Sequence, residues 1–277
     1  MPELPEVETA RRAAAGVAIG RRIVEVAVAD DTIVFERVPP ERIRRALLGR
    51  RVRAVRRHGK HFWFELDRRP WLSVHFGMAG GLHTSRRRAV RLVSSGRRAD
   101  TVWPPRFTKL RLAFEDGHEL AIADGRRLGR IRLRRDPAAE PPIAALGFDA
   151  LRGLPGTARF RELARARAVP VKALLLDQSF AAGVGNWIAD EVLYQARIAP
   201  RRPARSLSDR ELERLRARLR SVVRVAVAVG SDSDRYPRSW LFHRRWERGP
   251  GITVRGDAIR RETIAGRTAA WVPARQR

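Results

Sequence analysis

Apolar positions along the chain follow two regimes. Between Ile23 and about Leu133 they come in short β-branched and aromatic runs: Ile23–Val28, Val52–Val55, His61–Leu66, Leu72–Phe76, Leu110–Phe114 and Glu119–Ala123. Turn signals such as Asp116-Gly117 separate the runs, which predicts an antiparallel sandwich or barrel. Inside this block Ser85–Arg106 is polar, arginine-rich and without period, and is predicted as a long exposed loop. Ahead of it, Pro5–Ala15 reads as a helix with proline in its first turn, dense alanine and Gly16 as a stop. Asp136–Pro142 is a proline-rich break, and after it the pattern is helical. Val171–Asp177 and Asn186–Ala196 read as two helices joined by Gln178–Gly185, a turn with two glycines. Ser208 with Glu211 makes a capping box ahead of Leu212–Val229, which Gly230 ends. After Trp240 strand-like pieces return at Ile252–Val254 and Arg267–Val272, with turns at Arg255-Gly256-Asp257 and Ala265-Gly266. The expected fold is therefore multidomain α+β. An N-terminal β-sandwich with its leading helix spans 1–135, a linker 136–150, a helical domain 151–240 and a terminal hairpin 241–277.

Composition sharpens this picture. The chain of 277 residues is 44% hydrophobic, enough for packed cores, yet its formal net charge is +28. Such an excess calls for a polyanionic partner, and nucleic acid is the usual one. An anionic membrane is the rival, but no apolar run reaches about 18 residues. Nor is a signal peptide expected, because acidic Glu3, Glu6 and Glu8 follow Met1 at once. A soluble, cytoplasmic, monomeric protein is expected, with no membrane partner. There is no cysteine, which excludes disulfides and any thiolate metal site. Lysine occurs only at Lys60, Lys109 and Lys172; every other basic side chain is arginine. A GC-rich coding bias explains the arginine surplus. A retained lysine is a compact ammonium able to approach one phosphate or reacting atom.

The richest stretch is Met1-Pro2-Glu3-Leu4-Pro5-Glu6-Val7-Glu8. Removal of Met1 would expose a proline secondary amine. An α-amine has an ordinary pKa of about 7.7–8.0, and the positive end of a helix starting here lowers it further. A neutral secondary amine can attack an electrophilic sugar carbon and form an iminium ion. Glu3 beside it can give and take protons. On residue chemistry alone a second explanation stands open: three glutamates at a helix start also stabilise its dipole.

Pro2-Glu3-Leu4-Pro5-Glu6-Val7-Glu8-Thr9 resembles the start of the bacterial formamidopyrimidine-DNA glycosylase and endonuclease VIII family. Further stretches extend the resemblance along nearly the whole chain, in family order. Gly59-Lys60 resembles the family's hairpin lysine, and His75-Phe76-Gly77-Met78-Ala79-Gly80 its His-Leu-Gly-Met-Ser-Gly loop. Asp177-Gln178-Ser179 with Gly183-Val184-Gly185-Asn186 resembles its helix–two-turns–helix motif, and Arg267-Thr268 its finger arginine. The resemblance implies that Pro2 attacks C1′ of a damaged nucleotide, that Glu3 moves protons, that Glu6 orients the site and that Lys60 lies beside the lesion. It also implies DNA contacts by Asn186, Arg267, Lys172 and Arg126, with Met78 filling the gap left by an extruded nucleotide. Lys109 has no role in this reading.

Three departures stand out. Many relatives carry a four-cysteine zinc finger; here the matching positions are Gly251, Val254, Val272 and Arg275. No metal and no cofactor is expected, and Trp246, Trp271 and the valines are expected to replace the metal by apolar packing. In Gly125-Arg126-Arg127-Leu128-Gly129, Leu128 stands where the family often has a phenylalanine wedge. The connection Ser231–Ser239 is short, where relatives acting on 8-oxoguanine usually have a longer covering loop. The function expected is a bifunctional glycosylase and abasic-site lyase acting on double-stranded DNA. A non-catalytic binder of damaged DNA on the same scaffold, and a basic RNA-associated protein, are the alternatives.

Overall fold

In the computed structural model, residues 2–85, 102–247, 251–253 and 255–277 are described. Contacts divide the chain into two compact units: Met1–Ala145 with Gly230–Asp232, and Leu146–Val229 with Ser233–Arg277.

The first unit opens with α1 (Leu4–Ala18), whose Leu4, Val7, Ala10, Ala14, Val17 and Ala18 are buried at helical spacing. Gly16 does not stop the helix as the sequence predicted. Val17 and Ala18 continue the apolar stripe, and their burial outweighs the roughly 1 kcal/mol that glycine costs inside a helix. Eight strands follow: β1 (Ile23–Val28), β2 (Val52–His58), β3 (His61–Leu66), β4 (Trp71–His75), β5 (Gly81–Thr84), β6 (Thr108–Phe114), β7 (Glu119–Ala123) and β8 (Arg130–Arg134), with α2 (Pro40–Leu47) between β1 and β2. They form two four-stranded sheets, ordered β1-β6-β7-β5 and β2-β3-β4-β8, antiparallel throughout. Inward residues of both sheets join α1 in one core, including Ile23, Phe62, Phe64, Leu72, Leu110, Phe114 and Ile122. Most of the expected loop Ser85–Arg106 lies outside the described residues.

The second unit holds β9 (Phe148–Asp149), α3 (Thr157–Arg165), α4 (Val171–Leu176), β10 (Ala181–Ala182), α5 (Asn186–Ala196) and α6 (Asp209–Ala228). Ser208 and Glu211 form the expected capping box on α6, and Gly230 takes the left-handed backbone that follows it. The connection from α4 to α5 is held from within by one side chain. The Gln178 amide donates to the carbonyls of Leu176 and Val184, both at 2.8 Å, and accepts from Gly183 N–H. One side chain thereby bonds three backbone groups of the turn. At the C-terminus β11 (Gly251–Ile252), β12 (Ala258–Ile264) and β13 (Arg267–Trp271) form an antiparallel sheet. Ala265 and Gly266 both have positive φ, as a two-residue hairpin turn requires.

Candidate active site and nucleic-acid interface

In the first unit the start of α1 is buried. Pro2 and Glu3 are enclosed, and Pro2 and Glu6 line one small pocket with Ala10, Phe76, Gly80, Gly81 and Leu82. The Glu3 backbone N–H donates to Glu6 Oε2 at 3.0 Å. Burial, reinforced by the neighbouring Glu3 carboxylate, pushes the Glu6 carboxyl up to about 7. Glu6 thus braces the helix start through its own side chain and holds a proton readily near neutrality.

Glu8, one half-turn further on, behaves oppositely. Burial raises its pKa, but hydrogen bonds from Arg11 and Arg57 overcome that and hold it at about 2. Arg57 is itself buried, donating to Glu8 Oε2 at 2.9 Å and to the Gly59 carbonyl at 2.8 Å. This relay ties α1 to the β2–β3 turn that carries Lys60. Gly59 has a positive φ there, so the turn needs glycine. Sequence reasoning missed both Glu8 and Arg57, because nothing local pairs residues 49 positions apart.

His61 and His75 face each other across β3 and β4, rings stacked at 4.4 Å. Burial lowers both, to about 3 and about 4; the charges of Lys60 and Arg132 act in the same direction. Both are neutral at physiological pH. His75 Nδ1 accepts from Gly77 N–H at 3.2 Å, which leaves the ring proton on Nε2. Lys60 therefore sits beside a neutral pair whose strand leads directly into Phe76 of the pocket.

Two exposed loops border this region. Met78 is 38% exposed. Leu128 is 42% exposed in the segment 125–129, where Arg126 is also exposed. Asp124 brackets that segment, accepting from Arg126 N–H at 3.0 Å and Gly129 N–H at 2.6 Å. Arg127 reaches back to Asp31 at 3.0 Å. Lys109, which had no assigned role, joins the same carboxylate at 2.8 Å. Burial would raise Asp31, but these partners and Val34 N–H hold it well below the usual carboxylate range.

In the second unit Asn186 opens α5 after an extended Gly185, and its buried Oδ1 has no hydrogen-bond partner among the described residues. Arg267 is exposed directly after the hairpin turn. Lys172 must be corrected as a DNA contact. It is fully buried, donating to Asp190 Oδ1 at 2.6 Å and to the Thr268 carbonyl at 2.8 Å. Asp190 also accepts from Arg245 at 2.6 Å and from Ala270 N–H at 3.1 Å. One carboxylate on α5 thus fixes the strand that presents Arg267, and Lys172 acts from below it.

The same cluster bears on the absent metal. Among the positions that match zinc ligands, Gly251 has no side chain, Val272 is fully buried and Arg275 pairs with Asp257. Val254 lies outside the described residues. This donor set does not fit a metal. Leu241, Ile259, Ala270 and Val272 pack together with Tyr194. Trp246 is 48% exposed with Arg245 over its ring, so its expected place in that packing is corrected.

Two family models match the chain: the formamidopyrimidine-DNA glycosylase N-terminal domain over residues 1–131 and the H2TH domain of the same enzymes over 146–237. A formamidopyrimidine-DNA glycosylase of Arabidopsis thaliana is 41% identical over 278 residues, covering 100% of this chain and 71% of that protein. The crystal structure of MutM (Fpg) from Thermus thermophilus superposes with a TM-score of 0.78 at 34% identity, over 99% of this chain and 98% of that one. Lactococcus lactis Fpg bound to DNA containing N7-benzyl-Fapy-dG superposes at 0.80 with 25% identity, over the whole of both chains.

Proposed function

The chain belongs to the formamidopyrimidine-DNA glycosylase family, and from that premise we propose that it is a bifunctional base-excision-repair enzyme, a DNA glycosylase and abasic-site lyase with Pro2 as nucleophile. The observation that carries this reading is the buried start of α1, where Pro2 and Glu6 share a pocket and Glu3 lies enclosed beside them. Once Met1 is removed, the Pro2 amine is held in low dielectric at a helix N-terminus. Both effects favour its neutral, nucleophilic form at pH 7. Its lone pair attacks C1′ of the damaged nucleotide as Glu3 protonates the sugar oxygen; the base departs and an iminium forms. The iminium acidifies the C2′ proton, a base removes it, and the 3′ phosphate leaves by β-elimination. Loss of the 5′ phosphate by δ-elimination can follow. Positioned proton transfer of this kind contributes typically about 10²–10⁴ in rate.

Lys60 contributes its charge beside the lesion phosphate, and Asn186 and Arg267 hold phosphates from the second unit. Met78 and Arg126 occupy the gap and its opposite strand. The substrate class follows from the short connection after α6. Ser231 is tied to Thr9 through hydroxyls 3.0 Å apart, and Tyr236 packs on Trp187 and Trp240. Only 232–235 lie between these anchors, which is little chain to cover an extruded 8-oxoguanine. Ring-opened purines, hydantoins, saturated pyrimidines and abasic sites are poorly stacked and need less cover.

Borohydride trapping on a panel of such duplexes tests the whole reading. A covalent adduct on the N-terminal peptide is expected. An adduct mapping to Lys60, or none on any damaged duplex, would overturn it. Removal of 8-oxoguanine opposite cytosine as the fastest base lesion, in single turnover, would overturn the substrate class alone.

A further inference from the structure

Phe107 has no place in the site as described, yet it is the most unusual residue at its rim. Its ring is 48% exposed, and its backbone has φ +62°, a left-handed conformation that aromatic residues adopt rarely and at a cost. It sits directly before β6, and its carbonyl accepts from Asp124 N–H at 3.0 Å. That is the same Asp124 whose carboxylate brackets the loop 125–129. The ring lies on Gly125: a Cβ built there would meet it at 3.0 Å. Any larger residue at 125 would push the ring away. The Arg106 guanidinium stands over the ring, 5.3 Å from its centroid.

The other end of the same loop touches the Met78 turn. A Cβ built on Gly77 would come within 2.3 Å of the Leu128 carbonyl, so Gly77 allows the two backbones to meet. Phe107, Leu128 and Met78 are therefore the exposed apolar side chains of three segments, of which the 125–129 loop touches the other two, at Gly125 and Gly77. Phe76, the neighbour of Gly77, lines the pocket of Pro2. Arg106 and Arg126 accompany this apolar rim on the exposed side. An apolar ridge with an aromatic face, flanked by guanidinium groups, matches an unstacked base with its phosphates. A protein partner would give the arginines no comparable regular anion.

We propose that Phe107 is a base-stacking residue of this chain, its half-exposed ring meeting a base beside the gap left by the extruded nucleotide. It supplies the aromatic surface that Leu128 at the wedge position lacks. Every base has a π-face, so such a contact holds the opened duplex without reading sequence. Leu128 and Met78 fill volume; Phe107 adds the stack. The inference rests on the proposed reading of the site as one that opens duplex DNA.

The test compares affinities for a duplex containing a tetrahydrofuran abasic analogue and for the matched undamaged duplex, using the full chain. Wild type is expected to prefer the abasic duplex. Phe107→Ala should weaken that binding by about 5- to 150-fold, the range seen when base-stacking aromatics are removed. Binding to undamaged duplex should change less than about twofold. The salt slope should stay the same, because no phosphate contact is lost. Phe107→Trp should restore the preference. A Phe107→Ala protein that binds the abasic duplex as wild type does overturns the proposal. So does equal weakening on both duplexes, or a lowered melting temperature accounting for the loss, since these mark a residue that only supports the loop. If wild type itself shows no preference, the reading of the site fails, and the stacking role with it; that result is visible before any variant is made.

Discussion

At the scale of single residues, Glu6 and Glu8 show how two identical side chains on one helix are driven to opposite states. Both are taken out of water, which raises a carboxyl. Glu6 faces the Glu3 carboxylate and stays high, at about 7; Glu8 faces Arg11 and Arg57 and falls to about 2. Burial dominates at Glu6, whereas the two guanidinium partners overcome it at Glu8. It carries a signed consequence for stability. Between the ordinary value of 4.5 and 7, the folded chain keeps the Glu6 proton that the unfolded chain has released. Stability from this group is therefore full below pH 4.5 and is lost as pH rises through 7. The loss is at most about 3 kcal/mol, from about 1.4 kcal/mol per pKa unit. Glu6→Gln mimics the protonated form and should remove that decline. Urea unfolding from pH 4.5 to 8 checks it; a variant with the same pH slope as wild type would show that Glu6 does not hold the proton.

At the scale of elements, what was legible in the sequence depended on how local its cause was. The strands His61–Leu66 and Glu119–Ala123 and the helix Asn186–Ala196 match their runs to the residue, because burial alone shapes them. β2 runs three residues beyond the apolar run ending at Val55, since Arg57 points inward to Glu8 and a charge there reads as the end of a strand. The start of α1 was readable because Pro2, Glu3 and Glu6 lie within one turn. Lys172 was misread for the opposite reason: its partner Asp190 is on another helix, and burial of a lysine shows only when that partner is in place. The cluster of Lys172, Asp190 and Arg245 makes a strong prediction. Asp190→Ala removes the carboxylate that two buried cations share and should cost about 3–5 kcal/mol in denaturant unfolding. It should loosen the β12–β13 hairpin first, read as faster amide exchange at Ala270. Protection at Ala270 equal to wild type would mean that the cluster does not anchor the finger. The same argument predicts that metal is irrelevant. Elemental analysis should find no stoichiometric zinc, and prolonged chelation should leave DNA binding unchanged; a loss reversed by zinc would contradict the packing described for Val272 and Ile259.

At the scale of the whole molecule, the net charge of +28 sets the terms of binding. Many acidic side chains are already engaged by arginine, as at Glu8, Asp31, Glu36 and Asp190, so the surplus is displayed by the remaining guanidinium groups. No helix among the described residues is long and apolar enough to cross a membrane. A polyanion that neutralises this surplus releases condensed counterions, and affinity then falls with salt by about 0.9 log units per log unit for each phosphate contacted. If about five to eight phosphates are engaged, the slope of log K against log salt on duplex DNA is roughly −5 to −7. Arg267 is exposed directly after the two-residue hairpin turn, which places it at the tip of the β12–β13 hairpin. Arg267→Ala should weaken binding to damaged and undamaged duplexes alike and flatten the slope by about one. Titrations at four or five salt concentrations measure both quantities. A wild-type slope shallower than about −2 would mean that the charge serves something other than the phosphate backbone. A normal wild-type slope that Arg267→Ala leaves unchanged would remove Arg267 from the interface and leave the rest of the electrostatic argument standing.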